Sequence, residues 1–167
     1  MQRDATGGAD LARLLLRSMI GGTMIAHGVR HARTLAGTAG WFDSLGFRHA
    51  KLQAKISATV EISSGTALLA GAATPVAASA VIGTLAVAAG SVHRPNGFFI
   101  VDEGYEYVLA LSIAAASLAS LGPGRLSVDH ALGLDDRVTG RAAGLGALLL
   151  GGAGALAHLK AFWTRPE

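Results

Sequence analysis

Residues 56–93 read ISATVEISSGTALLAGAATPVAASAVIGTLAVAAGSVH, and before the closing His93 the only ionisable side chain among them is Glu61. A bilayer core takes about 20 apolar residues per helix, with a range of roughly 17–25, so this run is too long for one helix. Gly71-Ala72-Ala73-Thr74-Pro75 interrupts it. Proline fixes φ and lacks an N–H, which suits a turn followed by the first turn of a new helix. The stretch therefore predicts two membrane helices, over about 52–72 and 75–91, with a tight connection between them.

The remainder of the chain fits the same environment. Of 167 residues, 51% are apolar and 15% charged, and the mean hydropathy is +0.45. A soluble domain carries about 25% charged residues, so the charges are too few to coat a surface facing water. The 23 glycines suit membrane helices, where small residues let backbones approach closely. There is no cysteine, which excludes a disulfide framework, a thiolate metal site, covalent c-type haem and dithiol chemistry of the chain's own. The formal charge of +3 reads as basic residues flanking membrane segments, and no nucleic-acid motif is present.

Upstream, a first helix is expected over about 11–29, with Arg13 and Arg17 one turn apart near its start and His27 near its end. It has no convincing cleavage site and is read as retained. Residues 30–55 mix Arg30, Arg33, Arg48, Lys51 and Lys55 with Trp41, Phe42 and Phe47. That pattern describes an interfacial loop with a short amphipathic helix around 41–47. Downstream, a polar connection over 92–107 leads into a fourth helix, about 105–121, which Gly122-Pro123-Gly124 stops. A charged loop follows, and 142–162 is long enough to form a fifth span. Gly140, Gly144, Ala147 and Gly151 give that last helix a small-residue face of the kind that packs helices in membranes. The fold class predicted is an all-α polytopic transmembrane bundle. Basic residues divide six against eight between its two ends, so the positive-inside rule does not orient it.

Several pieces, in order, resemble the DoxX family of bacterial and archaeal membrane proteins. They are Leu14-Leu15-Leu16-Arg17 with His27-Gly28, the Trp41-Phe42 pair, the helix holding Glu61 and Gly65, and Gly71, Thr74 and Pro75. Beyond these come Gly104-Tyr105-Glu106 and the run Gly122-Pro123-Gly124-Arg125-Leu126-Ser127-Val128-Asp129. His31 stands where the family often has a lysine. The resemblance implies a four-helix core over residues 1–135, with 136–167 as an added C-terminal helix and tail. It also implies association with membrane redox systems linked to quinol oxidation and thiosulfate:quinone oxidoreduction.

Glu61 is the most informative residue, because a carboxylate in hydrocarbon costs several kcal/mol unless paired, hydrated or protonated. It reads either as a proton-relay or quinone-headgroup contact, or as a structural partner of Arg17 or His27 on the first helix. His27 reads as a proton shuttle or quinone ligand, or as a structural donor. His93, Arg94, Tyr105 and Glu106 are expected on one membrane side. There they form either a polar headgroup site or a Glu106–Arg94 pair beside an interfacial tyrosine. Only His27, His93 and His158 are sensible haem donors, and no two lie centrally in separate helices, so haem is disfavoured and no metal site is expected.

The function expected is an integral membrane accessory subunit of a quinone-linked redox complex in the bacterial plasma membrane. Such a subunit would position a partner or a quinone rather than catalyse by itself. The competing readings are a non-redox scaffold or cargo-binding protein, and a small transporter centred on Glu61. The partners expected are lipid and further subunits of a membrane complex or copies of this chain, without nucleic acid.

Overall fold

The computed structural model describes residues 2–137 and 139–166, and every regular element among them is helical. The long helices are α1 (Gln2–Arg33), α3 (Ala50–Ala70), α4 (Thr74–Ala88), α5 (Glu106–Leu121) and α7 (Arg141–Phe162). Two shorter ones are α2 (Leu35–Ser44), between α1 and α3, and α6 (Val128–Ala131), between α5 and α7. A π turn at Ala89–His93 and a 3-10 turn at Arg94–Asn96 prolong α4.

The α3–α4 junction shows how local chemistry sets these limits. Gly71, at φ 66°, ends α3 in the left-handed conformation that glycine adopts without strain. Its amide returns to the Leu68 carbonyl at 3.0 Å and the Ala72 amide to that of Ala67 at 2.8 Å, so two otherwise orphaned carbonyls are satisfied. Pro75 then occupies the first turn of α4, where its missing N–H costs nothing. The amides of Ala73 and Thr74 and the Thr74 hydroxyl all donate to the buried Asp129 carboxylate, at 2.7, 3.0 and 2.9 Å.

α1 and α3 pack antiparallel with their backbones in contact. A Cβ placed on Gly21 would lie 2.6 Å from the Gly65 carbonyl oxygen, and one on Gly65 2.7 Å from that of Gly21. α4 packs against α3, α5 and α7. α7 runs parallel to α4, with Gly151 beside Gly83, and antiparallel to α5, with Gly144 against Ser120. The buried core holds Ile20, Leu68, Val81 and Leu118 with many alanines.

The outer surface is apolar. Leu15, Val76, Ile113, Leu149 and Leu156 are between 56% and 72% exposed, and they lie on four different helices. A protein in water rarely shows so large an apolar surface, whereas hydrocarbon imposes no cost on it. Two helical stretches, Thr74–Asn96 and Arg141–Phe162, are long and apolar enough to cross a bilayer, while Glu106–Leu121 is apolar but shorter. Only 33% and 22% of the two long windows is buried, which is not how the core helix of a soluble protein sits.

Two boundaries differ from the sequence reading. α1 begins at Gln2 and not near residue 11, and the region read as an interfacial loop is largely helical from Leu35. The break between α1 and α2 is the single residue Thr34, whose amide and hydroxyl both return to the Arg30 carbonyl. That one-residue step redirects the chain without the Gly or Pro that would mark it in sequence.

Candidate functional site: a carboxylate–imidazole pair on an apolar cavity

Glu61 sits just beyond the middle of α3 and is 5% exposed. One turn before it, the Ser57 hydroxyl donates to Glu61 Oε1 at 2.9 Å. Glu61 Oε2 lies 2.9 Å from Nδ1 of His31 on α1. That separation is an ion-pair distance, but the two groups are poorly aligned, and neither atom has a partner with hydrogen-bond geometry. The two groups are close, and the hydrogen bond between them is unmade. A buried polar group left in this state costs about 1–3 kcal/mol.

Both residues line a cavity of about 480 Å³, within the roughly 300–1,000 Å³ of small-ligand sites. α3 supplies Gln53, Ser57 and Glu61, and α7 supplies Gly151, Gly154 and His158. α4 forms the floor with Ser79, Gly83 and Thr84. The floor hydroxyls are turned into their own helix, Ser79 to the Pro75 carbonyl and Thr84 to that of Ala80, so the floor offers an apolar surface. α2 and the turn after it form the roof, in which rings run from His31 through Phe42 and Phe47 to His158 with centroids 5.4–6.2 Å apart. The π turn that ends α4 places Val92 on the cavity wall, and single π turns of this kind frequently occur at functional sites.

Residues 12–94 match the DoxX family. The chain belongs to the DoxX family. The DoxX match runs from the first turns of α1 through the end of α4, so it contains Glu61, His31 and the aromatic roof, while α5 to α7 and His158 lie beyond it. DoxX proteins are membrane proteins, in keeping with the apolar surface described above. No curated protein and no solved structure matches the chain.

The sequence reading grouped Arg17 and His27 with Glu61, and the structure separates them. Arg17 is buried at the opposite end of α3, where its guanidinium donates to the carbonyls of Leu68, Leu69, Pro123 and Leu126 at 2.5–3.2 Å. His27 is exposed, with its ring 6.4 Å from that of His31. The residue that faces Glu61 is His31. Gly21, Met24 and Gly28 form the buried face of α1, and His31 is the next position on that stripe by the i, i+3, i+4 rule. The signal was present in the spacing.

The second predicted group falls in one connection, where His93 and Glu106 meet backbone groups of that connection. His93 Nδ1 lies 2.7 Å from the Glu103 carbonyl oxygen. Glu106 accepts the Ile100 amide at 3.0 Å, and Tyr105 packs edge-on against Phe98. Arg94 is exposed, and among the described residues it forms no ion pair with Glu106.

Of the small residues on the last helix, Gly144, Ala147 and Gly151 are buried against α4 and α5. Gly140 precedes α7, is exposed, and has open space where a Cβ would stand. Among the described residues no three metal-ligating side chains gather.

Proposed function

We propose that the protein crosses the bacterial plasma membrane five times, with α1, α3, α4, α5 and α7 as the spans. It serves there as a non-catalytic accessory subunit of a quinone-linked redox complex, with Glu61 and His31 holding a quinone headgroup. On this reading the four-helix core of residues 1–135 contributes the polar pair and the roof, and the added helix of 136–167 completes a wall. The observation that carries it is the buried carboxylate facing an imidazole across a misaligned contact, on the wall of an otherwise apolar cavity. A quinone carbonyl entering the cavity accepts from the His31 imidazole N–H, and a quinol hydroxyl donates to Glu61 Oε2, so each of the two unpartnered atoms gains a partner. Hydrogen bonds to charged groups contribute about 1.5–3 kcal/mol. The small-residue face of α7 is consumed within the chain, so it lends no weight to the scaffold reading.

Trp41 lines the cavity and Trp163 does not, so quenching of Trp41 by a short-chain quinone reports occupancy. Titration in mild detergent is expected to give saturable quenching that is lost in Trp41→Phe and strongly weakened in Glu61→Gln. Lipid extracted from the purified protein is expected to contain quinone. Linear, non-saturable quenching together with a quinone-free extract would overturn the proposal.

A further inference from the structure

The cavity is closed at one end and open on one side. At the roof, the turn after α2 is bound to the end of α7 by backbone hydrogen bonds, Arg48 N–H to the Phe162 carbonyl at 2.8 Å and Thr164 N–H to the Gly46 carbonyl at 3.0 Å. The Trp163 indole adds a third, to the Leu45 carbonyl at 2.7 Å. On the flank, Ile56 of α3 and Leu150 and Gly154 of α7 line the cavity while remaining exposed. They border a gap between α3 and α7 that is floored by α4, and the neighbouring outer surface, Leu149 and Leu156, is apolar. Water therefore meets a covered end and hydrocarbon meets an opening.

We infer that the cavity is loaded sideways from the bilayer by an amphiphile. Its hydrogen-bonding ring headgroup reaches Glu61 and His31, and its long apolar tail leaves between α3 and α7. The inference rests on the headgroup reading above and adds the tail, the route and the residues that select for them. The inward-turned hydroxyls of Ser79 and Thr84 and the bare Gly83 give the tail a smooth apolar floor. Gly154 keeps the exit open: a Cβ there would meet no atom within 4 Å, so this glycine is not required by packing. A side chain at this position narrows the exit without displacing a helix.

The test uses the full chain in lipid nanodiscs and two quinones with the same ring, one without a tail and one with a polyisoprenoid tail ending in a photoreactive diazirine. Gly154→Phe is expected to lower labelling by the tailed quinone about tenfold more than it lowers Trp41 quenching by the tail-less one. Gly152→Phe is the control. Gly152 also has open space at its Cβ but lies outside the cavity lining, so labelling should be unchanged. In the unaltered chain the diazirine should mark α3 and α7 near Ile56 and Leu150. Marks on the roof around Trp41, or equal labelling of Gly154→Phe and the unaltered chain, would overturn sideways loading while leaving the headgroup reading standing. Failure of the unaltered chain to bind either quinone would overturn both.

Discussion

Asp129 holds the start of α4 through Thr74, taking its amide and its hydroxyl on the same carboxylate oxygen, Oδ2, at 3.0 and 2.9 Å. The other oxygen receives the Ala73 amide at 2.7 Å, which fixes Ala73 at φ 46°, a conformation that an alanine adopts only when its surroundings impose it. The cap is supplied from α6, 55 residues away, so it ties the α5–α7 connection to the α3–α4 turn. Removing a helix cap costs about 0.5–2 kcal/mol, and stranding buried donors costs about 1–3 kcal/mol. Asp129→Ala is therefore expected to lower the thermal midpoint in detergent clearly, and Thr74→Val by less, because the two amides keep their acceptor.

Arg17 predicts a loss of stability without a loss of binding. Its fork satisfies carbonyls at the end of α3 and in the loop after α5. A lysine has the charge but not the planar array of donors. Arg17→Lys should recover only part of the stability lost in Arg17→Ala, for which a loss of about 3 kcal/mol or more is expected from several stranded carbonyls. Since Arg17 contributes nothing to the cavity lining, Trp41 quenching in any variant that remains folded should match that of the parent. Chemical unfolding and Trp41 quenching, measured on the same samples, separate the two effects.

Bulk on the buried face of α7 is expected to break the fold of the single chain. A Cβ on Gly144 would collide with the Ser120 hydroxyl and stand 2.9 Å from the Ala116 carbonyl oxygen, and one on Gly151 would stand 2.7 Å from the Ser79 carbonyl oxygen. Overpacking costs about 1–3 kcal/mol, occasionally more. Gly144→Leu and Gly151→Leu should lower the thermal midpoint, whereas Gly146→Leu, where a Cβ has open space, should not. Light scattering in detergent should show the same mass for all three; a change in mass would mean that this face also joins chains.

The Asp10 tie predicts a sensitivity to acid outside the bilayer. The Arg125 side chain, with its backbone amide and Arg13, hydrogen-bonds the Asp10 carboxylate, which holds its pKa below the ordinary 3.8. A carboxyl depressed in the folded state contributes stability above its unfolded value and loses it as pH falls through the folded value. The contact should thus be intact at neutral pH and released only below about 3.8. Hydrogen exchange of the Arg125 amide, corrected for intrinsic rate, should show protection falling in that range, and Asp10→Ala, which removes the acceptor, should abolish it at every pH.

The long helices were legible because lipid leaves a single-chain segment few ways to satisfy its backbone other than an α-helix, and because Gly71 to Pro75 and Gly122 to Gly124 punctuate the apolar runs. Glu61 was legible as a cost that needed a reason. Its partner was missed by one turn: His27 was read as the imidazole that could face Glu61, whereas the buried stripe Gly21, Met24, Gly28 continues to His31. Arg17 was read as a charge in search of an acid, and backbone carbonyls, which leave no trace in a sequence, satisfy it. The Asp129 cap depends on a tertiary approach that no local spacing encodes.

Joining the turn before α3 to the end of α7 also limits how the molecule can move. Those two helices flank the gap, and spreading them at the roofed end would break three hydrogen bonds, each contributing about 1 kcal/mol net. The flanking pair is therefore pegged at one end like tongs, free to flex only toward the mid-plane, so any breathing widens the mouth where a tail would lie and leaves the ceiling above the carboxylate fixed.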